Sequence, residues 1–343
     1  MSAPRVAING FGRIGRSVFR ILSQRADLRV VAMNDLSEIE TLAYLCRYDT
    51  VHGRFPGTVE VHGNRLRAGR QELRVLAEAE PRRLPWRELG VDVVVEATGV
   101  FRRREQIAGH LEAGAGRVIL TVPSKDPIDA TVVLGVNDAV LEPRHRLISN
   151  ASCTTNCLAP VAQVLHESFG IVKGYVTTVH AYTNDQRLAD VPHSNLRRSR
   201  AATENIIPTT TGAARAVGQV LPELAGRLDG IAMRVPVPDG STVDLVVELE
   251  RPASVEAINA AMRNAAASPR LQRVLEYSEE PLVSSDIIRN PHSAIFDALC
   301  TRVLGGNLAK VIAWYDNEWG YASRVVDLIE RLAGMPLPHS AVA

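Results

Sequence analysis

The chain reads as an α/β protein, an N-terminal, doubly wound parallel sheet followed by an α+β domain on a mixed, mainly antiparallel sheet. Three observations predict this. In the first half, short apolar strands alternate with segments of helical period. A glycine-rich turn joins the first strand directly to the first helix. In the second half the strands lengthen, alternate partly between apolar and polar residues, and are separated by fewer helices.

Taken in order, Arg5-Val6-Ala7-Ile8-Asn9 is a short apolar strand and Gly10-Phe11-Gly12-Arg13-Ile14-Gly15 a turn. Arg16 to Gln24 is a helix, with Val18, Phe19 and Leu22 in helical register. A G-x-G-x-x-G in that setting allows a tight turn, close approach of backbone to a pyrophosphate, and helix–strand packing; the helix N-terminus then faces the phosphates. The next strand, Val30-Val31-Ala32-Met33, ends in Asn34-Asp35, twenty residues beyond Gly15. A carboxylate there accepts hydrogen bonds from both hydroxyls of an adenosine ribose and repels a 2′-phosphate, which favours NAD over NADP. Taken alone, Asp35 also fits a turn or cap before Ser37. Thr58 to Leu76 alternates and breaks at Gly63-Asn64 and Ala68-Gly69, as short antiparallel hairpins do. Asp92 to Glu96 is a buried strand ending at Ala97-Thr98-Gly99. Arg104 to Ala113 is a helix, and Arg117 to Thr121 a further strand. The whole is expected to be a Rossmann-type NAD-binding domain over residues 1–152.

Beyond it, Ile148-Ser149-Asn150-Ala151 is a strand running into a turn, and Cys157, Leu158, Val161, Val164 and Leu165 mark a helix. Val172 to His180 is a long strand, Ile231 to Val235 a shorter one stopped by Pro236, and Val243 to Leu249 and Leu308 to Tyr315 two more. These place a catalytic domain over 153–317. A C-terminal helix, 318–335 with Val325, Val326, Ile329 and Leu332 on one side, is expected to return to the first domain.

Length and composition restrict the function. At 343 residues the chain holds about two domains. A net charge of +1 gives no general attraction to nucleic acid or anionic membrane. The apolar runs are too short for a membrane span, and the first strand starts too early for a leader peptide. Four cysteines (Cys46, Cys153, Cys157, Cys300) are too few for a disulfide framework, and no Cys/His spacing suits zinc. The expectation is a reduced, cytoplasmic protein without a metal.

Ser152-Cys153-Thr154-Thr155-Asn156-Cys157 carries the chemistry. Cys153 falls at a helix N-terminus, where backbone N–H groups lower a thiol pKa and make the reactive thiolate. A buried, inert cysteine is the alternative, and the flanking hydroxyl and amide residues argue against it. His180, at the end of a strand, suits a base for such a nucleophile; a surface histidine fits the spacing as well. Arg187, Arg197, Arg198 and Arg200 make the next loop either a solvated face or a phosphate site. Thr209-Thr210-Thr211-Gly212, before a helix over Ala213 to Gln219, is an anion nest or a plain cap. Arg234 lies inside an apolar strand, where an unpaired charge is costly.

Ala151 to Pro160 resembles the active-site signature of phosphorylating glyceraldehyde-3-phosphate dehydrogenases. The resemblance extends over nearly the whole chain, through Ile8 to Arg16, Tyr48 to Phe55, Pro123 to Asp126, Thr178 to Gln186, Ile207 to Ala214 and Trp314 to Tyr321. It implies Cys153 as nucleophile and His180 as base, with Ser152, Thr154, Thr183, Arg198, Thr211, Gly212 and Arg234 on substrate and phosphate. It implies NAD held by Arg13, Ile14, Asp35, Thr121 and Asn317, beside Gly10, Gly12, Gly15 and Thr98 of the dinucleotide half. The implied reaction oxidises D-glyceraldehyde 3-phosphate with NAD and inorganic phosphate to 1,3-bisphosphoglycerate, a step of glycolysis or gluconeogenesis, through a cysteine thiohemiacetal and thioester. It further implies a homotetramer in which the Asp185 to Thr203 loop approaches a neighbour's cofactor.

Three stretches depart from the common pattern. Glu78-Ala79-Glu80-Pro81 replaces a Glu-Arg-Asp-Pro run, Val237 and Asp239 replace a threonine and an asparagine, and Arg289 to Ile295 is also similar to erythrose-4-phosphate dehydrogenases. An erythrose 4-phosphate enzyme and a non-catalytic NAD- or RNA-binding protein are therefore the competing readings. The triose form of Thr209-Thr210-Thr211-Gly212 and the presence of both Cys153 and His180 stand against them.

Overall fold

The computed structural model describes residues 3–336. They form two compact units. One comprises residues 3–132, Asp138–Ala151 and 322–336; the other comprises Val133–Asn137 and Ser152–Tyr321.

The first unit is built on nine strands: β1 (Arg5–Asn9), β2 (Arg29–Asn34), β3 (Val59–His62), β4 (Arg65–Ala68), β5 (Gln71–Leu76), β6 (Val93–Glu96), β7 (Arg117–Leu120), β8 (Ala130–Thr131) and β9 (Leu147–Ser149). Their order is β3-β4-β5-β2-β1-β6-β7-β9-β8. Only the β3–β4–β5 hairpins run antiparallel; the other pairs are parallel. The order reverses at β1, flanked by β2 and β6, and ligands of such sheets sit outside the carboxyl ends of the strands at that point. Helices α1 (Arg13–Leu22), α2 (Ile39–Arg47) and α3 (Arg104–Glu112) are its crossovers and covers. Leu84, Trp86, Val91, Val94 and Ala115 pack with Ala7, Val31 and Ala32 into one buried cluster. Ile107 of α3 closes a second with Val118, Leu120 and Leu147.

The second unit contains α4 (Cys153–Phe169), α5 (Ala213–Val220) and α6 (Val255–Ala266) on seven strands: β10 (Ile171–Ala181), β11 (Ile207–Thr210), β12 (Leu228–Val235), β13 (Ser241–Leu249), β14 (Leu275–Ser278), β15 (Ala294–Leu304) and β16 (Leu308–Tyr315). The order β11-β12-β10-β13-β16-β15-β14 is mixed, with β10–β12 and β14–β15 parallel and the other pairs antiparallel. Strand β13 buries every second residue, as a strand with one covered face does. Helix α4 is buried from Thr154 through Leu165, and its apolar length is matched by contacts with α5, α6, β15 and β16. Helix α7 (Trp319–Ala333) follows, and its residues from Ala322 onward cluster with the first unit.

Several boundaries differ from the sequence reading by a residue or more, and three of the differences bear on the site. Helix α1 starts at Arg13, not Arg16, so Gly15 lies within it. There a Cβ would stand 2.0 Å from the Gly10 carbonyl oxygen, which is why only glycine lets the helix begin so near the strand. Strand β12 starts at Leu228, because pairing with β10 carries through the polar Asp229 and Gly230. Thr209 and Thr210 belong to β11, which leaves Thr211 and Gly212 as the turn into α5.

Candidate active site

The loop after β1 is shaped for an extended anionic ligand. Gly10 has φ +92°, and a Cβ on it would lie 2.7 Å from the Thr98 nitrogen. Gly12 is the N-cap of α1; no side chain caps that end, and a Cβ on Gly12 would meet nothing within 4 Å. The open cradle and the first-turn N–H groups together fit a pyrophosphate. Arg13 begins the helix and pairs with Asp49 at 2.5 Å; Ile14 is half-buried beside it. Asp35 follows β2 at once. Its Oδ2 accepts the Phe11 N–H at 2.8 Å and its Oδ1 the Ser37 N–H at 3.0 Å. Burial alone would raise this carboxyl, but the N–H groups of Phe11, Ser37 and Leu36 outweigh it and hold the pKa below its usual value. Asp35 is thus a turn residue and also a fixed carboxylate at the end of β2. Thr98 bonds through N–H and hydroxyl to Glu96, and Thr121 is buried with its hydroxyl on the Glu96 carbonyl at 3.0 Å.

In the second unit Ser152 caps α4, its Oγ accepting the Thr155 N–H at 3.1 Å. The residue before it, Ala151, has φ +53° and is buried, a conformation few non-glycine residues adopt. Cys153 is the first helical residue, and its Sγ lies 3.5 Å from His180 Nε2. His180 is the penultimate residue of β10, directly opposite Arg234 of the parallel β12. Its Nδ1 is 2.7 Å from the Ala181 carbonyl and 2.8 Å from Arg234 Nη1, which itself donates to the same carbonyl at 2.8 Å. These contacts define two tautomers. With the proton on Nδ1, donated to Ala181, Nε2 is an acceptor facing the thiol. With Nδ1 accepting from Arg234, the proton sits on Nε2 and points at sulfur. The Tyr315 ring packs edge-on to the imidazole at 5.8 Å, with its hydroxyl 2.8 Å from both Thr154 and Thr178.

The electrostatics correct one expectation. Burial raises the Cys153 thiol above its usual value, although Arg234 and the Thr154 hydroxyl and N–H pull it down. Burial, and then Arg234, lower His180 to about 3. Lost hydration thus works against the thiolate expected at this helix end, while Arg234 and the Thr154 donors work for it. The other thiols are less suited still. Burial pushes Cys46 up to about 12 and Cys157 well above its usual range, and Cys300 is raised too.

The basic residues gather at the ends of β10, β11 and β12. Arg234 is half-buried, and among the described residues its Nε has no hydrogen-bond partner. Arg198 bonds through Nε to Thr209 at 3.0 Å and pairs with Asp185. Thr211 accepts the Ala213 N–H at 3.2 Å, and Gly212, the N-cap of α5, faces open space. Thr183 donates its N–H to Gln186 at 3.3 Å. Thr154 differs from expectation, since its hydroxyl turns inward to Tyr315 and leaves the backbone as its outward donor. Asn317 accepts the Ser241 hydroxyl at 2.6 Å through Oδ1, which fixes which end of its amide can donate elsewhere.

Sequence reasoning missed Tyr315 and Asp316. Asp316 Oδ1 accepts the Glu318 and Trp319 N–H groups at the start of α7, and its Oδ2 accepts the N–H of Arg289, whose φ is +68°. An aspartate just ahead of an apolar-periodic helix was the available signal. Tyr315 carried none, reading simply as a strand terminus.

A dinucleotide-shaped α/β unit and a second unit holding a cysteine against a histidine define a class: nicotinamide-dependent aldehyde oxidoreductases that work through a thiol. The family model for the glyceraldehyde 3-phosphate dehydrogenase NAD-binding domain matches residues 4–104, and that for the C-terminal domain matches 152–317. The chain is 57% identical over 336 residues to glyceraldehyde-3-phosphate dehydrogenase of Geobacillus stearothermophilus, covering 98% of this chain and 100% of that protein. It is 54% identical over 326 residues to the enzyme of that name from Streptomyces coelicolor, covering 94% and 97%. With the Borreliella burgdorferi enzyme the figure is 54% over 334 residues, covering 96% and 99%. The chain belongs to the glyceraldehyde-3-phosphate dehydrogenase family.

Proposed function

We propose that this chain catalyses the NAD-dependent oxidative phosphorylation of D-glyceraldehyde 3-phosphate to 1,3-bisphosphoglycerate, with residues 1–152 holding the cofactor and 153–317 the chemistry. The observation that carries the reading is the 3.5 Å approach of Cys153 Sγ to His180 Nε2 beside the half-buried Arg234. In the tautomer with its proton on Nδ1, His180 takes the thiol proton, the sulfur attacks the aldehyde carbon, and His180 gives the proton to the resulting alkoxide, forming a thiohemiacetal. Positive charge at Arg234 and the N–H groups at the start of α4 favour the thiolate during this transfer. His180 then receives the hydroxyl proton as hydride leaves the same carbon, giving a thioester. NAD⁺, when bound, supplies the hydride acceptor. His180 releases its proton to solvent, an oxygen of hydrogen phosphate attacks the thioester carbon, the Cys153–carbon bond breaks, and the phosphate's proton passes to the sulfur, so that an acyl phosphate departs and the thiol is restored.

A phosphorylated aldehyde and free phosphate call for two anion sites. Arg234 with its orphaned Nε, Arg198 with Thr209, and the open N-terminus of α5 at Thr211 and Gly212 supply the donors. Ser152, Thr154 and Thr183 are assigned to the same substrate, and Gly10, Gly12, Arg13, Ile14, Gly15, Asp35, Thr98, Thr121 and Asn317 to NAD, by family resemblance. A cytoplasmic homotetramer belongs to the same reading; no helix among the described residues is long and apolar enough to cross a membrane.

Kinetics with glyceraldehyde 3-phosphate and erythrose 4-phosphate, each with NAD⁺ or NADP⁺ and with or without phosphate, test the proposal. The triose with NAD⁺ and phosphate is expected to lead, with NAD⁺ preferred about ten- to a hundredfold through Asp35. Faster turnover of the tetrose, or parity of NADP⁺, would overturn substrate or cofactor respectively. Limited iodoacetamide treatment should label Cys153 before Cys157; the reverse order removes Cys153 as nucleophile.

A further inference from the structure

A buried polar ladder runs beneath the dinucleotide loop. Asn9, Asn34 and Glu96 are the last residues of β1, β2 and β6, and the register places Asn9 opposite both of the others. All three are at most 5% exposed. Each link has a fixed polarity. The indole N–H of Trp86 donates to His110 Nδ1 at 2.9 Å, so that His110 Nε2 is left to donate to Glu96 Oε2 at 3.0 Å. Asn9 Nδ2 donates to the same oxygen at 2.6 Å. Asn34 Nδ2 donates to Asn9 Oδ1 at 2.7 Å and to the Glu78 carbonyl at 2.8 Å, while the Glu78 N–H returns to Asn34 Oδ1 at 2.8 Å. The other oxygen of Glu96 receives the N–H of Thr98 at 2.9 Å and the Thr98 hydroxyl.

Donors from His110, Asn9 and, twice, Thr98 thus converge on Glu96, which among the described residues has no Lys or Arg beside it. Trp86, His110 and Glu96 are fully buried. A polar network of this kind is costly at a sheet interior and, once fully satisfied, rigid. Its members sit at the carboxyl ends of the strands, where the loops of a doubly wound sheet receive a ligand. Those loops are Gly10–Gly12, the turn at Asp35, Ala97–Gly99 and the stretch from Glu78. The ladder ties them to one carboxylate.

We propose that Glu96 is a positioning residue for NAD: it touches no ligand but fixes Thr98 and the ends of β1 and β2 in the geometry the cofactor requires. This rests on the NAD-binding reading above. Glu96→Gln keeps the shape but turns one acceptor into an NH₂ donor. In either orientation that NH₂ meets a donor that cannot reverse, the Thr98 backbone N–H or the pair from His110 and Asn9.

Calorimetric titration of the full chain with NAD⁺ is the test, with hydrogen exchange at amides 97–100 as a second readout. Glu96→Gln should weaken NAD⁺ binding about tenfold or more. It should speed exchange of those amides in the ligand-free protein. At saturating NAD⁺, kcat and the KM for aldehyde should stay within about twofold. Trp86→Phe, at the far end of the ladder, should lower the melting temperature yet leave the NAD⁺ Kd within about twofold. If Glu96→Gln fails to fold, Thr98→Val should show the weakened binding and Thr98→Ser restore it. NAD⁺ affinity unchanged in folded Glu96→Gln, or in Thr98→Val, overturns the role of Glu96. A parent protein that does not bind NAD⁺ overturns the cofactor reading instead.

Discussion

Helices α1 and α4 both begin at the end of a parallel strand, yet their first turns are finished in opposite ways. At α1 the N-cap is Gly12, with no side chain across the exposed N–H groups and open space where a Cβ would stand. At α4 the N-cap is Ser152, whose hydroxyl takes the Thr155 N–H and bonds to the Thr155 hydroxyl at 2.7 Å. The first end leaves its partial positive charge for a ligand to complete. The second closes on itself and offers a single reactive atom, the sulfur of Cys153, against His180. A helix start can therefore recognise an anion or present a nucleophile, and the cap residue decides which.

If α4 only presents the sulfur, removing its base should cost chemistry and not cofactor affinity. His180→Asn should lower kcat by ~10²–10⁴, with the NAD⁺ Kd unchanged by titration. A rate within about twofold of the parent would remove His180 from the reaction. The converse holds at α1. Gly12→Asp gives that end the cap it lacks, at a φ of −70° that any residue adopts. Stability of the ligand-free protein should rise by a few tenths of a kcal/mol, while NAD⁺ binding weakens about 10²-fold or more through like charge. Stability and affinity moving together would break the comparison.

A third start, that of α7, uses a carboxylate. Asp316 holds its first N–H groups, and burial together with Asp316 and Glu318 pushes the neighbouring Asp239 up to about 9. An unfolded aspartate ionises near 4. The folded chain therefore retains a proton that the unfolded chain releases between about pH 4 and 9, and stability falls as pH rises through that window. Asp239→Asn should bring almost no gain in a thermal melt near pH 4 and ~1–3 kcal/mol near pH 8. An equal gain at both pH values contradicts the protonated Asp239. The smallest effect is expected at the cap itself: Ser152→Ala should cost ~0.5–2 kcal/mol in denaturant unfolding. No loss would mean the Thr155 N–H finds another acceptor.

The fold class, with a mostly parallel sheet and then a mixed one, was legible because it rests on period and glycine spacing. Strand β1 and strand β16 match the sequence reading end for end. The helix α6 and the strands β14 and β15 were not read, because β15 interrupts its apolar run with Asp297, which the fold turns inward to bond Trp314 at 3.0 Å. Candidate site residues could be placed from motifs, and the fold brings Cys153, His180 and Arg234 together. Their protonation could not be read. It depends on how much water packing removes, and helix position alone predicted the wrong direction for Cys153. The ladder on Glu96 was equally hidden, since its members are far apart in the chain and meet only through strand register.

Asn34 grips the segment at Glu78 by its peptide group alone, taking the N–H on one side and the carbonyl on the other. Nothing in that grip reads a side chain. Residue 79 can therefore change identity while the main chain stays where the sheet puts it, whereas the Glu78 carboxylate itself holds the Glu80 N–H at 2.9 Å. Ala79 is thus the contents of a socket built from main chain, and an arginine there should fit as an interchangeable part without reshaping the sheet beneath.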